Sequence, residues 1–172
     1  AYLAQNLSWD RQFPMSVWEL ANQALLPEMG LWKKCTSEQN GRVEEALKKV
    51  RLMERRHESI GNLSLGQFQR ALFARVIVQR AQVILLDEPF TGLDEKSVEA
   101  LFEIMHQWHH EGKTQIVVLH DRHWALDHFP QTLILSREVK AWGPTPEVLE
   151  PYLWKQVLLQ TPIPDSHEEC HQ

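Results

Sequence analysis

Apolar residues recur at helical spacing in the first third of the chain. One set follows Ser16, a candidate N-cap, and is expected to end at Pro27 and Gly30. A second helix is predicted to start at Ser37, with apolar residues on one face and charged residues on the other. Residues 15–60 are therefore predicted to form a helical subdomain.

Beyond residue 60 the pattern changes to helices that alternate with short apolar runs. Helices are predicted over residues 66–80 and 95–111, and strands over residues 83–86, 116–119, 132–135 and 139–142. The first two strands are continuous apolar runs, which are typical of strands buried on both faces of a sheet. The last two are expected to be joined by a tight turn. The alternation predicts an α/β fold in which helices cover a parallel sheet, with parallel strands as far as residue 135.

Composition narrows the class of protein. The 172 residues suffice for one domain with a core, and their formal net charge of -5 argues against a nucleic-acid partner. No apolar run approaches the ~20 residues that span a bilayer. The two cysteines, Cys35 and Cys170, lie far apart, which excludes a disulfide framework and fits a reducing cytosol.

Two adjacent carboxylates end the first predicted strand. Asp87 and Glu88 follow an apolar run, at the position where open α/β sheets bind ligands. One carboxylate there can hold Mg²⁺, usually through water, and the other can polarise an attacking water. A strand that ends in solvated acids is the alternative. The run Thr91-Gly92-Leu93-Asp94 follows directly and favours the functional interpretation.

A second candidate site precedes the helix predicted over residues 66–80. Ser64, Gly66 and Gln67 begin it, and a helix N-terminus presents N–H groups and a positive dipole end to an anion. A serine hydroxyl adds a donor, and a glycine lets the backbone approach a phosphate. An ordinary N-cap is the alternative, but Arg70 and Arg75 follow in an order that favours anion binding.

Two further polar residues follow predicted strands. His120 ends the second apolar strand and could hydrogen-bond a terminal phosphate, although a lone histidine is more often structural. Gln5 follows a strand end near the start of the chain and is uninformative by itself.

Taken in order, these motifs resemble those of ATP-binding-cassette (ABC) ATPases over roughly residues 1–157. The motifs, in chain order, are Gln5 for the Q-loop, Leu63 to Gln67 for the signature, Ile84 to Glu88 for the Walker B strand, Gly92 to Asp94 for the D-loop, and His120 for the switch histidine. Two other runs, Arg11 to Val17 and Ala141 to Leu149, are most similar to the subgroup that energises zinc and manganese importers.

The resemblance implies roles around one ATP and its Mg²⁺. Glu88 is expected to be the catalytic base, and His120 to hold the γ-phosphate. Asp87 and Gln5 are expected to serve Mg²⁺ through water.

The resemblance also implies partners. Two ATPase subunits are expected to sandwich two ATP molecules as a homodimer, with Ser64, Gly66 and Gln67 facing the nucleotide of the opposite subunit. Asp94 would communicate across the dimer. The helical subdomain and the Gln5 loop would grip a membrane permease, placing the protein in the cytoplasm at the inner face of the membrane. Leu65 departs from the family, which most often has glycine there, and is expected to be tolerated.

One part of such a domain is missing from the printed sequence. No phosphate-cradling G-x-x-x-x-G-K-[ST] loop is present, so an incomplete P-loop NTPase fold is expected, inactive by itself. The expected divisions are residues 1–66 for the Q-loop and helical signature subdomain, 67–143 for the RecA-like core, and 144–172 for a C-terminal helix and polar tail. The tail residues His167 to His171 could hold Zn²⁺, but a disordered tail is favoured.

Three function classes follow. The leading one is part of the ATP-binding subunit of an ABC transporter for a metal ion such as zinc or manganese. A soluble ABC ATPase of the DNA-repair type is disfavoured, since only a compact helical stretch precedes Ser64 and the charge is negative. A non-catalytic interaction module is the third, because the phosphate loop is absent.

Overall fold

The computed structural model describes residues 1–5, 11, 13–29 and 35–150. The chain divides into two compact units, residues 1–118 and the residues from Leu119 onward. The helices are α1 (Val17–Asn22), α2 (Leu26–Met29), α3 (Ser37–Lys49), α4 (Leu65–Gln79), α5 (Glu95–His110), α6 (Arg122–His128) and α7 (Thr145–Val148), and the strands are β1 (Tyr2–Leu3), β2 (Val83–Asp87), β3 (Thr114–Val118), β4 (Gln131–Ser136) and β5 (Glu138–Pro144). Of the helices in the described ranges, none combines the length and apolar character needed to cross a membrane.

A parallel sheet organises the first unit. Its three strands lie in the order β1-β2-β3, and both neighbouring pairs are parallel. Leu3 pairs with Leu86, and Asp87 pairs with Val118. The predicted parallel α/β arrangement is therefore confirmed, and the carboxyl ends of all three strands meet at one edge of the sheet.

The expectation that β2 and β3 are buried on both faces is wrong. Ile84 and Leu86 are 2% and 1% exposed, whereas Val83 and Leu85 on the same strand are 49% and 41% exposed. On β3, Ile116 and its neighbours alternate in the same way. Successive side chains of a strand point to opposite faces, and the described helices bury only one of them.

Three helices pack together beside the sheet in the first unit. α1 and α3 both contact α4, and α4 in turn contacts β1. The predicted N-cap Ser16 begins α1, and Thr36 caps α3. The helical conformation does not stop at Pro27 but continues to Met29. Pro27 is the second residue of α2, a position where the missing N–H removes no hydrogen bond within that helix.

The second unit contains an antiparallel hairpin. β4 and β5 pair antiparallel, joined at Arg137, whose backbone φ is 60°. The expectation of parallel strands as far as residue 135 is therefore wrong for β4, since strands joined by so short a turn pair antiparallel. Ile134 packs in a small core with Val148 and Leu149. The predicted helix after Pro151 and the tail from His167 to His171 lie outside the described residues.

Candidate functional site

The carboxylates predicted to be functional lie at the carboxyl end of β2. Asp87 is the last residue of the strand, and Glu88 leaves it with a left-handed backbone φ of 46°. The Glu88 N–H donates to the Val118 carbonyl at 3.1 Å, which fixes the start of this turn against β3. The Thr91 hydroxyl donates to Glu88 Oε2 at 3.1 Å and so orients the carboxylate.

The left-handed conformation of Glu88 is unfavourable for a residue with a side chain. Such conformations cost about 1–3 kcal/mol and persist where the surroundings impose them, often at functional sites. Here the surrounding contacts include those of Glu88 with Val118 and Thr91. The turn after β2 is therefore held in one geometry by its neighbours rather than by its own preference.

Gln5 leaves the same edge of the sheet as the two carboxylates. Leu3 pairs with Leu86 in a parallel register, so Gln5 follows the end of β1 at the edge where Asp87 ends β2 and Glu88 follows it. Its amide oxygen and the Asp87 carboxylate are the hard oxygen ligands that Mg²⁺ prefers. Both residues therefore belong to neighbouring strand ends of the first unit, and their role with Mg²⁺ stays a prediction.

The predicted anion site lies at the first turn of α4. Ser64 and Gln67 form a capping box: the Gln67 N–H donates to Ser64 Oγ at 3.2 Å, and the Ser64 N–H donates to Gln67 Oε1 at 2.9 Å. Ser64 Oγ acts as the acceptor in this pair, so the hydroxyl proton can be donated to an anion. The N–H groups of the first turn also have no intrahelical acceptor. This N-terminus can thus be both a cap and an anion site.

The N-terminus of α5 lies beside that of α4. Asp94 caps α5, since its carboxylate accepts from the Ser97 N–H and from the Ser97 hydroxyl, each at 3.0 Å. These bonds lower the pKa of the Asp94 carboxyl. A Cβ at Gly66 would lie 3.0 Å from Ser97 Oγ and 3.7 Å from Asp94 Oδ2. Glycine therefore permits the close approach of the two helix starts, each with a positive dipole end.

Leu65, the departure from the family pattern, has a definite contact. A Cβ at Gly92 would lie 2.6 Å from Leu65 Cδ2, and Gly92 has a left-handed φ of 74°. The Leu65 side chain therefore covers Gly92, although it remains 40% exposed. In this chain a leucine at the signature position packs on the turn that follows Glu88.

Two residues that sequence reasoning did not single out connect these parts. Gln69 on α4 is 3% exposed and donates to the Pro89 carbonyl at 2.9 Å. Arg11 donates to the Leu63 carbonyl, and its guanidinium lies 5.3 Å from the centroid of the Phe68 ring. A polar residue on the apolar face of a predicted helix was the available signal for Gln69. Arg11 belongs to a run that resembles the importer subgroup, but its contacts with Leu63 and Phe68 had no signal in the sequence.

Arg70 contributes positive charge near the α5 cap. It donates to the Val50 carbonyl at 3.2 Å. Burial lowers the pKa of the Arg70 guanidinium, Arg51 adds to this effect, and the negative charge of Asp94 opposes it. Asp94 thus has a cationic neighbour in addition to its Ser97 bonds.

His120 is the one predicted site residue that belongs to the second unit. It follows β3 by two residues in the chain and is exposed. Its contact with a phosphate stays a sequence prediction. Within the described ranges no group of three or more His, Cys, Asp or Glu side chains could hold a metal ion.

Comparison with known families identifies the family of the chain. Residues 1–91 match the ABC transporter family. The chain belongs to this family. Ser64, Asp87 and Glu88 lie within the matched residues, and their roles stay sequence predictions.

Similar proteins include ATP-binding components of metal transport systems. The manganese transport system ATP-binding protein MntB of Halalkalibacterium halodurans is 35% identical over 151 residues, which cover 88% of this chain and 60% of that protein. The zinc transport system ATP-binding protein AdcC of Streptococcus pneumoniae is 33% identical over 139 residues, covering 80% and 59%. The chain thus spans about three fifths of the length of the curated relatives it matches.

Solved structures agree on the fold. A metal-chelate type ABC transporter in an inward-facing conformation superposes with a TM-score of 0.83 at 21% identity, covering 92% of this chain and 62% of that chain. A dimeric bacterial ABC transporter cassette gives a TM-score of 0.71 at 24% identity, covering 84% and 62%. The described units therefore have the fold of an ABC cassette.

Proposed function

We propose that this chain is part of the ATP-binding subunit of an ABC transporter that couples ATP hydrolysis to transport of a metal ion such as zinc or manganese. The observation that carries this proposal is the oriented Glu88 carboxylate beside Asp87 at the edge of a parallel sheet, in a chain about one third identical to manganese and zinc transport components. An ABC ATPase of the DNA-repair type has no comparable support.

The proposed chemistry at β2 is hydrolysis of ATP by a polarised water. Glu88 accepts the proton of the attacking water. The hydrogen bond from the Thr91 hydroxyl fixes the orientation of the Glu88 carboxylate. Asp87 and Gln5 would hold Mg²⁺ through water. The bound Mg²⁺ would neutralise negative charge on the phosphates. His120 would hydrogen-bond the terminal phosphate.

A second subunit completes the proposed site. Ser64, Gly66 and Gln67 lie at a helix N-terminus that suits a phosphate, and we assign them to the ATP bound by the opposite subunit of a homodimer. Asp94, which caps α5 next to Gly66, would lie at the same interface. A cassette of the same fold has been solved as a dimer, which supports this assembly.

The other proposed partner is a membrane permease. The relatives are named as components of transport systems. This chain would lie on the cytoplasmic face of the membrane, held there by contacts of residues 1–66 with the permease. Residues 67–143 would form the catalytic core, and residues 144–172 a C-terminal extension.

Glu88→Gln tests the role of the base. In a subunit that also carries a phosphate loop, the substitution should lower the turnover of ATP by about 10²–10⁴-fold and leave ATP binding in place, because the amide keeps the shape but accepts no proton. Phosphate release and equilibrium binding of ATP measure the two effects. Glu99→Gln, an exposed glutamate on α5, is the matched control and should turn over normally. Turnover of Glu88→Gln near the parent rate would refute the assignment.

A further inference from the structure

Gln69 is a buried amide in the otherwise apolar face of α4. It is 3% exposed and is the one polar side chain of the described residues in the first unit that is fully buried. Burying an amide is unfavourable unless it is hydrogen-bonded. Its Nε2 donates to the Pro89 carbonyl at 2.9 Å, so the amide has a specific partner.

The acceptor of this bond directly follows the proposed base. Pro89 is the residue after Glu88, whose backbone φ is 46°. On the other side, the Glu88 N–H is bonded to the Val118 carbonyl at 3.1 Å. The left-handed turn at Glu88 is thus held by β3 before it and by α4 after it.

The same helix contacts the far end of this segment. Leu65 covers Gly92, and Gly66 lies against the Asp94 cap. Residues 65, 66 and 69 lie within about one turn of α4. The segment from Glu88 to Asp94 is therefore attached at both ends to the first turns of one helix.

We propose that Gln69 is a positioning residue for Glu88, and that it ties the geometry of the base to the helix that begins at Ser64. The inference rests on the proposed function, in which the start of α4 receives the phosphate of the opposite subunit. A displacement of α4 by that phosphate is passed to Pro89 through the Gln69 amide. In this proposal Gln69 acts through the backbone next to Glu88 and not on the reacting atoms.

Hydrogen exchange on the full chain tests the attachment without any ATP. Gln69→Met keeps the length of the side chain and removes the donor. We expect amide exchange from Glu88 to Asp94 to become about five- to tenfold faster, the effect of one net hydrogen bond, with no change in residues 72–78 of α4. Gln115→Met is the matched control, since Gln115 Nε2 also donates to a backbone carbonyl, that of Met105, at 2.9 Å. It should leave residues 88–94 unchanged.

Two results of this measurement would overturn the proposal. One is unchanged exchange from Glu88 to Asp94 in Gln69→Met, and the other is the same acceleration in Gln115→Met. If Gln69→Met does not fold, Gln69→Asn takes its place, because it keeps an amide but is one methylene too short to reach Pro89.

Turnover in the subunit that carries a phosphate loop provides the functional readout. A misplaced base should lower kcat by about ten- to hundredfold while KM for ATP and ATP-dependent dimerisation change less than about twofold. A rise in KM with an unchanged kcat would contradict a positioning role. If the parent itself shows no turnover, the proposed function fails, whereas the exchange result still decides whether Gln69 holds the Glu88 turn.

Discussion

Two residues in the turn after β2 have left-handed backbones, and only one of them is glycine. Gly92 has a φ of 74°, and Glu88 has a φ of 46°. Glycine adopts this region at little cost, whereas a side chain costs roughly 1–2 kcal/mol there. At Glu88 the bonds from Thr91 and to Val118 oppose that cost, and a carboxylate at this position is what the proposed chemistry requires.

Gly92→Ala should lower the free energy of unfolding by about 1–2 kcal/mol. Most of this cost comes from the φ of 74°, because the atom nearest to the new Cβ is the tip of Leu65, which is partly exposed and can rotate away. Urea unfolding of the parent and the variant measures the difference.

Gly112→Ala is the matched control for this prediction. Gly112 also has a φ of 74°, but nothing lies within 4 Å of a Cβ built there, so its substitution reports the backbone cost alone. The two variants should agree within about 1 kcal/mol. A much larger cost at Gly92, removed by adding Leu65→Gly, would mean that Leu65 is held rigidly over the turn.

Single residues were predictable where the local sequence carries the signal. Ser64 was predicted to begin a helix, and it does so with Gln67 as the second half of a capping box. The contacts of Gln69 with Pro89 and of Leu65 with Gly92 were not predicted. They join residues twenty or more positions apart, and they depend on how α4 packs against the turn after β2.

Helix starts were easier to predict than the surroundings of strands. The helices predicted over residues 66–80 and 95–111 are found at Leu65–Gln79 and Glu95–His110. The strands were also found, but β2 and β3 are exposed on one face. A continuous apolar run indicates that both faces of a strand are suited to burial. It does not indicate which helix or other segment packs against each face.

The cap of α5 should make stability depend on pH. Hydrogen bonds from Ser97 lower the pKa of the Asp94 carboxyl in the folded chain below its unfolded value near 4. As the pH falls, the unfolded chain takes up the proton first, so the contribution of Asp94 is complete above about pH 5 and is lost as the pH falls through the folded pKa. Asp94→Asn keeps an acceptor at every pH. The stability of the parent relative to Asp94→Asn should therefore decrease between about pH 5 and about pH 3.

Urea midpoints of both chains across this pH range provide the measurement. Ser97→Ala is the control, because it removes the hydroxyl bond to Asp94 and keeps the backbone bond. Its pH dependence should lie between those of the parent and Asp94→Asn. Parallel curves for the parent and Asp94→Asn would show that the cap does not lower the pKa of Asp94.

Over the whole molecule, each unit leaves an apolar sheet face exposed. In the first unit Tyr2, Val83 and Ile116 are 49–56% exposed, and in the second unit Leu135 and Trp142 are 65% and 75% exposed. The chain spans about three fifths of the length of its curated relatives and carries only some of the family's motifs. Those motifs were enough to identify the family and its fold from the sequence.

Nucleotide affinity of the 172-residue chain is expected to be low. In P-loop ATPases the backbone N–H groups of the phosphate loop and its lysine hold the phosphates. The printed sequence has no such loop. Its nearest imitation, Gly112-Lys113-Thr114, follows α5 and precedes β3, the reverse of the order that a phosphate loop needs, and Lys113 Nζ lies 2.6 Å from Glu111 Oε2. This run therefore cannot cradle ATP.

The chain by itself should therefore bind ATP at best weakly and hydrolyse it at the background rate. In the proposed function Asp87 and Gln5 serve Mg²⁺, and the start of α4 is assigned to the nucleotide of another subunit, so neither would anchor ATP here. Glu88 is oriented, but a base without a positioned phosphate gains nothing from proximity. Equilibrium binding of a fluorescent ATP analogue and phosphate release by the purified chain measure both quantities. Micromolar binding that Asp87→Asn abolishes would mean that other residues of this chain form a phosphate cradle.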